Sequence, residues 1–233
     1  MKNIKIIVTL GPSSINENIV SKLDDSGVSY FRINCSHVNL EDYEGIVRKV
    51  QSWTNIPICP DTEGSQLRTG TIKNNNDGIY LKKHSIINFF GKKDNYSDQY
   101  SMELNVSNPS DILREGDVLK LDFDSAVVQI LKCDSQIIQG RVLSPGVVKS
   151  NKGISCDRLL NIPALSKKDI AIIEIANRLQ QKNVFLSFCS SHNDVKLLRQ
   201  KYDYDINVIS KIESLSALNN LELICNESDG ILI

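Results

Sequence analysis

Polar and charged side chains follow directly after short apolar runs in this sequence. They are Gly11-Pro12-Ser13-Ser14; Arg32, Asn34, Ser36 and His37; Asp61, Thr62, Glu63, Gln66 and Arg68; Ser187 and Ser190; and Lys211 and Glu213. Guanidinium and ammonium groups pair with phosphoryl oxygens, whereas carboxylate, amide and hydroxyl oxygens bind hard cations such as Mg²⁺ and K⁺. Because phosphoryl transfer uses both kinds of group, these residue types indicate phosphate chemistry assisted by cations.

Alternating strand and helix patterns carry these residues. β-Branched and apolar runs predict strands at residues 4–10, 29–35, 56–59, 184–188, 206–212 and 230–233. Amphipathic patterns predict helices at residues 16–23, 40–52, 167–180, 192–200 and 215–224. Ser166 is the predicted N-cap of the third helix, and Asp169 stands three residues on, as in a capping box.

This βα alternation is typical of two architectures, a doubly wound sheet and a (β/α)₈ barrel. The pattern alone does not choose between them. In both, ligands bind beyond the carboxyl ends of parallel strands, which is where the polar residues lie. Either architecture therefore predicts that these side chains share one face of the sheet.

A different pattern occupies the middle of the chain. Short alternating runs with turn residues between them predict strands at residues 71–73, 78–81, 86–90, 118–121, 126–131 and 137–142. These runs predict an all-β insertion between the two βα segments.

Composition excludes several classes of protein. The 233 residues carry 27 basic and 28 acidic side chains, so no net field favours nucleic acid or an anionic membrane. The apolar runs are too short to cross a bilayer, and the first residues lack a signal-peptide core, which predicts a cytoplasmic protein. The six cysteines form no CxxC pair, so we expect reduced, mostly buried thiols rather than a zinc site.

Several motifs resemble those of the pyruvate kinase family, in the same order. They read Thr-Leu-Gly-Pro-Ser at 9–13, Phe-Arg-Ile-Asn-Cys-Ser-His at 31–37, Asp-Thr-Glu-Gly-Ser-Gln-Leu-Arg-Thr-Gly at 61–70, Pro-Ala-Leu-Ser-Lys-Lys-Asp at 163–169, Leu-Ser-Phe at 186–188, Lys-Ile-Glu at 211–213 and Asp-Gly-Ile at 229–231. The resemblance covers essentially the whole chain. It implies an incomplete (β/α)₈ TIM-type barrel at residues 1–69 and 153–233, with about six βα units, and an inserted β-barrel lid domain at 70–152.

The resemblance also implies residue roles. Arg32 would contact the transferring phosphoryl group, Lys211 would stabilise its charge, and Glu213 would bind the catalytic Mg²⁺, or Mn²⁺ in its place. The implied K⁺ ligands are Asn34, Ser36, Asp61 and Thr62, and the implied nucleotide-binding residues are Arg68, Asn34 and His37. The implied glycolytic reaction converts phosphoenolpyruvate and ADP to pyruvate and ATP, and such enzymes usually form homotetramers when complete.

The chain departs from the family pattern close to this chemistry. Glu63 replaces the usual Lys, Ser65-Gln66 replaces Pro-Glu, and Val38 replaces Gly, while 122–125 reads Asp-Phe-Asp-Ser where the lid usually has Asp-Asp-Gly. Because the position of Gln66 is associated with the need for K⁺, K⁺ dependence stays open. The sequence stops before the Arg-Gly-Asp segment that holds the second Mg²⁺ ligand, so we expect these 233 residues alone to be inactive.

Two alternatives remain open on the sequence. The chain could be a degenerate, non-catalytic binding protein of the same family, with Glu63, Ser65 and Gln66 as signs of relaxed constraint. It could also be a related barrel enzyme for another enolpyruvate or oxaloacetate-type substrate, since Lys211 and Glu213 suit that chemistry too.

Overall fold

Two compact units make up the chain. The computed structural model describes residues 4–64, 66–72, 78–92, 97–122, 124–158 and 160–233. Unit 1 comprises Met1–Ser65 and Pro163–Ile233, and unit 2 comprises Gln66–Ile162. The assignment of residues 70–152 to a lid stays a prediction.

Unit 1 begins with three strands and two helices. They are β1 (Ile7–Leu10), α1 (Glu17–Asp25), β2 (Tyr30–Asn34), α2 (Leu40–Gln51) and β3 (Ile58–Asp61), with a short 3₁₀ turn at Cys35–His37 after β2. Strand β1 begins three residues later than predicted, and Ile4 is 88% exposed. Asn16 caps α1 by accepting a hydrogen bond from the Asn18 amide, as its residue type favours.

Unit 2 is built from short strands. They are β4 (Ile79–Leu81), β5 (Ile86–Phe90), β6 (Ser101–Glu103), β7 (Val118–Leu121), β8 (Ala126–Cys133), β9 (Ile138–Ser144), β10 (Gly146–Val148) and β11 (Ile154–Cys156), with a 3₁₀ turn at Pro109–Asp111. The six-stranded sheet has the order β11-β7-β8-β9-β5-β6, and β10 pairs with β4. Leu119, Leu121, Val128 and Ile130 belong to its buried core.

Five of the six strand predictions in this unit correspond to observed strands. The prediction at 71–73 is different: Ile72 makes only an isolated bridge to Ser97, and Lys73 lies outside the described residues. Strands β6, β10 and β11 have three residues each and were not predicted.

The βα pattern resumes in unit 1 after Pro163. Its elements are α3 (Lys167–Arg178), β12 (Asn183–Leu186), α4 (His192–Arg199), β13 (Asn207–Lys211), α5 (Leu215–Asn219), α6 (Leu221–Glu227) and β14 (Gly230–Leu232). The predicted capping box at Ser166 and Asp169 is confirmed. The single helix predicted at 215–224 is wrong: the chain breaks at Asn220, whose amide group donates to the carbonyl of Ser190.

Strand order decides between the two candidate architectures. The six parallel strands of unit 1 follow one another as β1-β2-β3-β12-β13-β14, in chain order and without reversal. A doubly wound sheet would reverse its order at a switch point, whereas a barrel does not. The prediction of an incomplete α/β barrel is therefore confirmed.

The six cysteines are all free. Cys35, Cys59 and Cys189 are buried, Cys133 and Cys156 are partly buried, and Cys225 is exposed. Burial raises the pKa of Cys59 to about 12, which keeps that thiol protonated at neutral pH. Three of the six thiols are fully buried, and their reduced state stays a prediction.

The turn before β14, where the Asp229 side chain is 42% exposed, gives a pH-dependent test of the fold. The Asp229 carboxylate accepts hydrogen bonds from the Val208 amide at 2.8 Å and from Arg199 at 2.7 Å. Burial acts to raise the pKa of Asp229, but these bonds and the Arg199 charge outweigh it and lower the pKa below its usual value.

We expect Asp229→Asn to lower the free energy of unfolding by about 1 kcal/mol at pH 7, a modest value because the pair is partly solvated. A lowered pKa means that the stabilisation is present at neutral pH and is lost as the pH falls through the folded-state pKa. Urea unfolding at pH 7 and pH 3 measures this difference, and exposed Asp205→Asn serves as the control. If Asp229→Asn lost the same free energy of unfolding at both pH values, the proposed role of the ionised Asp229 carboxylate would be contradicted.

Candidate active site

The carboxyl ends of neighbouring strands bring most of the predicted catalytic residues together. Asn34 at the end of β2 is paired in register with Asp61 at the end of β3, and Asp61 is paired with Phe185 of β12. Strand β13 ends at Lys211, next to β12. Side chains separated widely in sequence therefore meet at one edge of the sheet.

Asp61 is the centre of this cluster. Its side chain is fully buried, and its carboxylate lies 3.3 Å from Lys211 Nζ, 3.4 Å from Arg32 Nε and 3.0 Å from Ser187 Oγ. Burial raises the pKa of Asp61, while the charges of Lys211 and Arg32 act in the opposite direction. The carboxylate thus depends on its two cationic neighbours for charge compensation.

The Arg32 guanidinium has a donor that is not hydrogen-bonded to any described residue. Its buried Nε has no hydrogen-bond partner among the described residues, although Asp61 is close enough for an ion pair. Its guanidinium carbon lies 6.0 Å from the centre of the Phe185 ring, at the outer range of a cation–π contact. A planar guanidinium group at a strand end is suited to bind an oxyanion in two-point fashion.

Ser187 hydrogen-bonds to both members of the Lys211–Asp61 ion pair. Lys211 Nζ donates to Ser187 Oγ at 2.8 Å, and that hydroxyl donates to Asp61 at 3.0 Å. The Ser187 amide donates in turn to Thr62 Oγ1 at 2.9 Å. The sequence indicated Ser187 only as a strand-end polar residue, and its bridging position depends on the registration of β3, β12 and β13.

Glu213 is held beside Lys211 by a turn with unusual backbone geometry. Its carboxylate accepts a hydrogen bond from the Phe188 amide at 2.9 Å and lies 3.5 Å from Lys211 Nζ. Phe188 has φ of 52°, a left-handed conformation that is uncommon for an aromatic residue and recurs at functional sites. The Glu213 side chain is about one-third exposed, so a partly solvated carboxylate of this kind fits Mg²⁺ as one hard oxygen ligand.

The four predicted K⁺ ligands are only partly brought together. Asn34 accepts from the Ser36 amide at 3.0 Å, Thr62 accepts from the Ser187 amide, and Ser36 is exposed. Each of these oxygens keeps a free lone pair, so their chemistry fits K⁺. The Asp61 carboxylate already has two cationic neighbours, and the K⁺ assignment stays a prediction.

The predicted nucleotide-binding residues fall in both units. His37 is exposed in the 3₁₀ turn after β2 of unit 1. Arg68 belongs to unit 2, where it donates to the Asn151 carbonyl at 3.1 Å and its amide donates to Asn105 at 2.8 Å. Their role toward a nucleotide, like that of Asn34, stays a prediction. Ser65 and Phe123, which we noted as departures from the family pattern, lie outside the described residues.

The loop after β3 is anchored by a residue whose full role the sequence did not reveal. Asp169, predicted only as part of a helix cap, accepts from the amides of Glu63 at 2.8 Å and Gly64 at 3.1 Å. Glu63, which replaces the usual Lys, lies 3.6 Å from Lys168. The sequence pattern of a capping box indicates only the cap, so it did not predict that Asp169 also binds the loop after β3.

Two other polar features lie away from this cluster. A cleft of about 450 Å³ opens at the amino-terminal ends of β3 and β12, lined in part by Thr54, Pro57, Gln181 and Asn183, and it contains none of the predicted site residues. In unit 2, Asp117, Cys156 and Asp157 lie close enough to share an ion. Asp117 pairs with Arg158 and Asp157 accepts from the Val118 amide, so we assign these carboxylates a structural role.

Comparison with known proteins agrees with this geometry. A protein-family model described as pyruvate kinase, barrel domain, matches residues 1–233. The chain belongs to the pyruvate kinase family. One relative, pyruvate kinase from Thermococcus litoralis, is 29% identical over 238 residues, which cover 98% of this chain and 50% of the relative.

Fungal pyruvate kinases give similar values. The protein from Candida albicans is 28% identical and pyruvate kinase 1 from Saccharomyces cerevisiae is 26% identical, each over 247 residues that cover 100% of this chain and 49% of the relative. The chain spans about half the length of the curated relatives that it matches. The pyruvate kinase family is a family of kinase-type transferases that in general depend on metal ions.

Among the described residues, no helix is both long enough and apolar enough to cross a bilayer.

Proposed function

We propose that this chain supplies the phosphoenolpyruvate-binding part of an enzyme that transfers a phosphoryl group to ADP. The observation that carries the proposal is the arrangement of Arg32 and Lys211 on either side of the buried Asp61. With Glu213, which lies 3.5 Å from Lys211, the cluster has two cations and two carboxylates, so a metal ion held by Glu213 would supply the net positive charge beside Arg32. Such a site favours a ligand that carries both a phosphate and a carboxylate.

The residues of the chain would divide the work as follows. Arg32 binds and orients the phosphoryl group through its terminal guanidinium nitrogens, since Nε faces Asp61 and the group lies near Phe185. Lys211 stabilises negative charge on the phosphoryl group as the enol phosphorus–oxygen bond breaks and the bond to the terminal ADP oxygen forms. Protonation of the enolate then gives pyruvate, so that phosphoenolpyruvate, ADP and one proton yield pyruvate and ATP.

Cations would complete this site. Mg²⁺ or Mn²⁺ held by Glu213 would supply positive charge to the phosphoryl and enolate oxygens when bound. Asn34, Ser36, Asp61 and Thr62 are the proposed residues for K⁺. Arg68, Asn34 and His37 are proposed to contact the nucleotide.

The first test is phosphoenolpyruvate binding to the 233-residue chain, measured by titration calorimetry with Mg²⁺ and K⁺ present. We expect saturable binding without turnover, and we expect Arg32→Met to weaken it about tenfold or more because a charge-assisted contact is lost. Arg48→Met is the matched control, since Arg48 is exposed and its ion pair among the described residues is with Glu44 in its own helix.

The outcomes separate the candidate functions. Binding that is equal in Arg32→Met and wild type would contradict the proposed site. A folded chain that binds neither phosphoenolpyruvate nor ADP would support the non-catalytic member of the family. Preference for oxaloacetate over phosphoenolpyruvate would instead support a related barrel enzyme.

We also propose that the protein acts in the cytosol and that the complete enzyme is a homotetramer. The balanced charge of the chain and its free cysteines support the cytosolic location. Cell fractionation tests the location, and light scattering of the complete protein tests the tetramer.

A further inference from the structure

We propose that Asp169 is a positioning residue for the candidate active site. Its buried carboxylate holds the Glu63–Gly64 loop, which directly follows Asp61 and Thr62, against the start of α3. The effect on phosphoenolpyruvate binding rests on the proposed function, whereas the effect on the loop does not.

The contacts of Asp169 go beyond those of a helix cap. The side chain is fully buried, and its two oxygens accept from the amides of Glu63, Gly64 and Ser166 at 2.8, 3.1 and 3.0 Å. The partners Glu63 and Gly64 lie 106 and 105 residues away in sequence. One carboxylate thus connects two chain segments of unit 1 that are otherwise remote.

Helix α4 provides an internal comparison. Its capping box uses Ser191 and Asp194 in the same relation, but the Asp194 carboxylate accepts from Ser190 and Ser191, no more than four residues away. The two capping boxes are therefore of the same type but have different partners. Among the described residues, Asp169 also binds a distant loop, whereas Asp194 binds only its sequence neighbours.

Hydrogen bonds from amides offset part of the cost of burying the Asp169 carboxylate. Burial raises the pKa of Asp169, and the hydrogen bonds from Ser166 and Glu63 act against that rise. The nearest lysine in sequence, Lys168, pairs with Glu63 instead. Backbone N–H groups and the amino-terminal end of the twelve-residue helix α3 therefore provide the stabilisation that an ion pair would otherwise give.

Gly64 lies between Asp169 and Ser187 of the candidate active site. Its amide is held by Asp169, while a Cβ at this residue would lie 2.9 Å from the Ser187 carbonyl oxygen. Ser187 in turn contacts both Lys211 and Asp61. Thr62, which directly precedes this loop, accepts a hydrogen bond from the Ser187 amide, so movement of the loop away from Asp169 would disturb Ser187 and, through it, the Lys211 ammonium group.

Backbone amide exchange measured by NMR tests the proposal directly. In wild type, the Glu63 and Gly64 amides should exchange about 100-fold more slowly than unstructured amides, although they belong to no helix or strand. In Asp169→Asn, which keeps one acceptor oxygen but not two, exchange of these amides should accelerate about tenfold or more. The control Asp194→Asn should accelerate Ser190 and Ser191 and leave Glu63 and Gly64 unchanged.

Two results would overturn the proposal: unprotected Glu63 and Gly64 amides in wild type, or equal exchange of these amides in both variants. The wild-type measurement decides the matter even if Asp169→Asn does not fold. Phosphoenolpyruvate affinity should fall about threefold to tenfold in Asp169→Asn and remain unchanged in Asp194→Asn. If wild type binds no phosphoenolpyruvate, the proposed function fails, while the exchange data still decide the role of Asp169.

Discussion

Replacing Lys211 by methionine is expected to lower the free energy of unfolding by about 3 kcal/mol, because it leaves the fully buried Asp61 with one cationic neighbour. Lys211 is 12% exposed, so water cannot readily replace its ammonium group. Methionine retains most of the volume and the apolar stem, which isolates the loss of charge. Urea unfolding of the 233-residue chain measures the change.

A double variant separates charge pairing from general damage. If the loss arises from an uncompensated Asp61, then Asp61→Asn combined with Lys211→Met should be more stable than the sum of the single effects by about 1–3 kcal/mol. Strict additivity would contradict the pairing. Lys196→Met is the exposed control: Lys196 lies 3.7 Å from Glu227 with half its side chain exposed, so about 0.5 kcal/mol or less is expected.

Lys211→Met is also expected to remove catalytic function. Since Lys211 is the proposed stabiliser of charge on the phosphoryl group, a complete enzyme that carries Lys211→Met should lose about 10³-fold or more in turnover. The doubly substituted protein should regain stability without regaining turnover. Recovery of turnover in that protein would show that Lys211 acts only through the fold.

Gly64→Ala is expected to lower the free energy of unfolding by about 3 kcal/mol or more, from two separate causes. Gly64 has φ of 68°, a left-handed backbone conformation that alanine disfavours. An added Cβ would also lie 2.8 Å from the Phe188 ring and 2.9 Å from the Ser187 carbonyl oxygen, both closer than van der Waals contact permits. The measurement is again urea unfolding, with phosphoenolpyruvate affinity as a second readout.

Gly27 offers the matched control. It has φ of 82°, but a Cβ there would meet nothing within 4 Å, so Gly27→Ala carries only the backbone cost of about 1–2 kcal/mol. The difference in unfolding free energy between Gly64→Ala and Gly27→Ala therefore measures the steric clash of the added Cβ with Ser187 and Phe188. Equal losses in Gly27→Ala and Gly64→Ala would show that Ser187 and Phe188 adjust freely.

The strands and helices of unit 1 were largely predictable from sequence because their signals are local. Apolar runs of strand length alternate with amphipathic segments, and caps such as Ser166 mark helix starts. The split between α5 and α6 was not predictable, since Asn220 breaks the helix by bonding to the distant Ser190 carbonyl. Likewise, whether the strands formed a barrel or a doubly wound sheet depended on their spatial order, which no local pattern contains.

The sequence by itself determined the residue types of the site, their order along the chain and the family to which they point. Only the tertiary structure showed that Asp61 is fully buried, that Ser187 bridges Asp61 and Lys211, and that Asp169 anchors the loop at Gly64. The physical reason is separation: the Lys211–Asp61 contact joins residues 150 positions apart and the Glu63–Asp169 contact joins residues 106 apart. Such contacts arise from strand registration and helix docking, so hydrophobic periodicity and capping signals do not specify them.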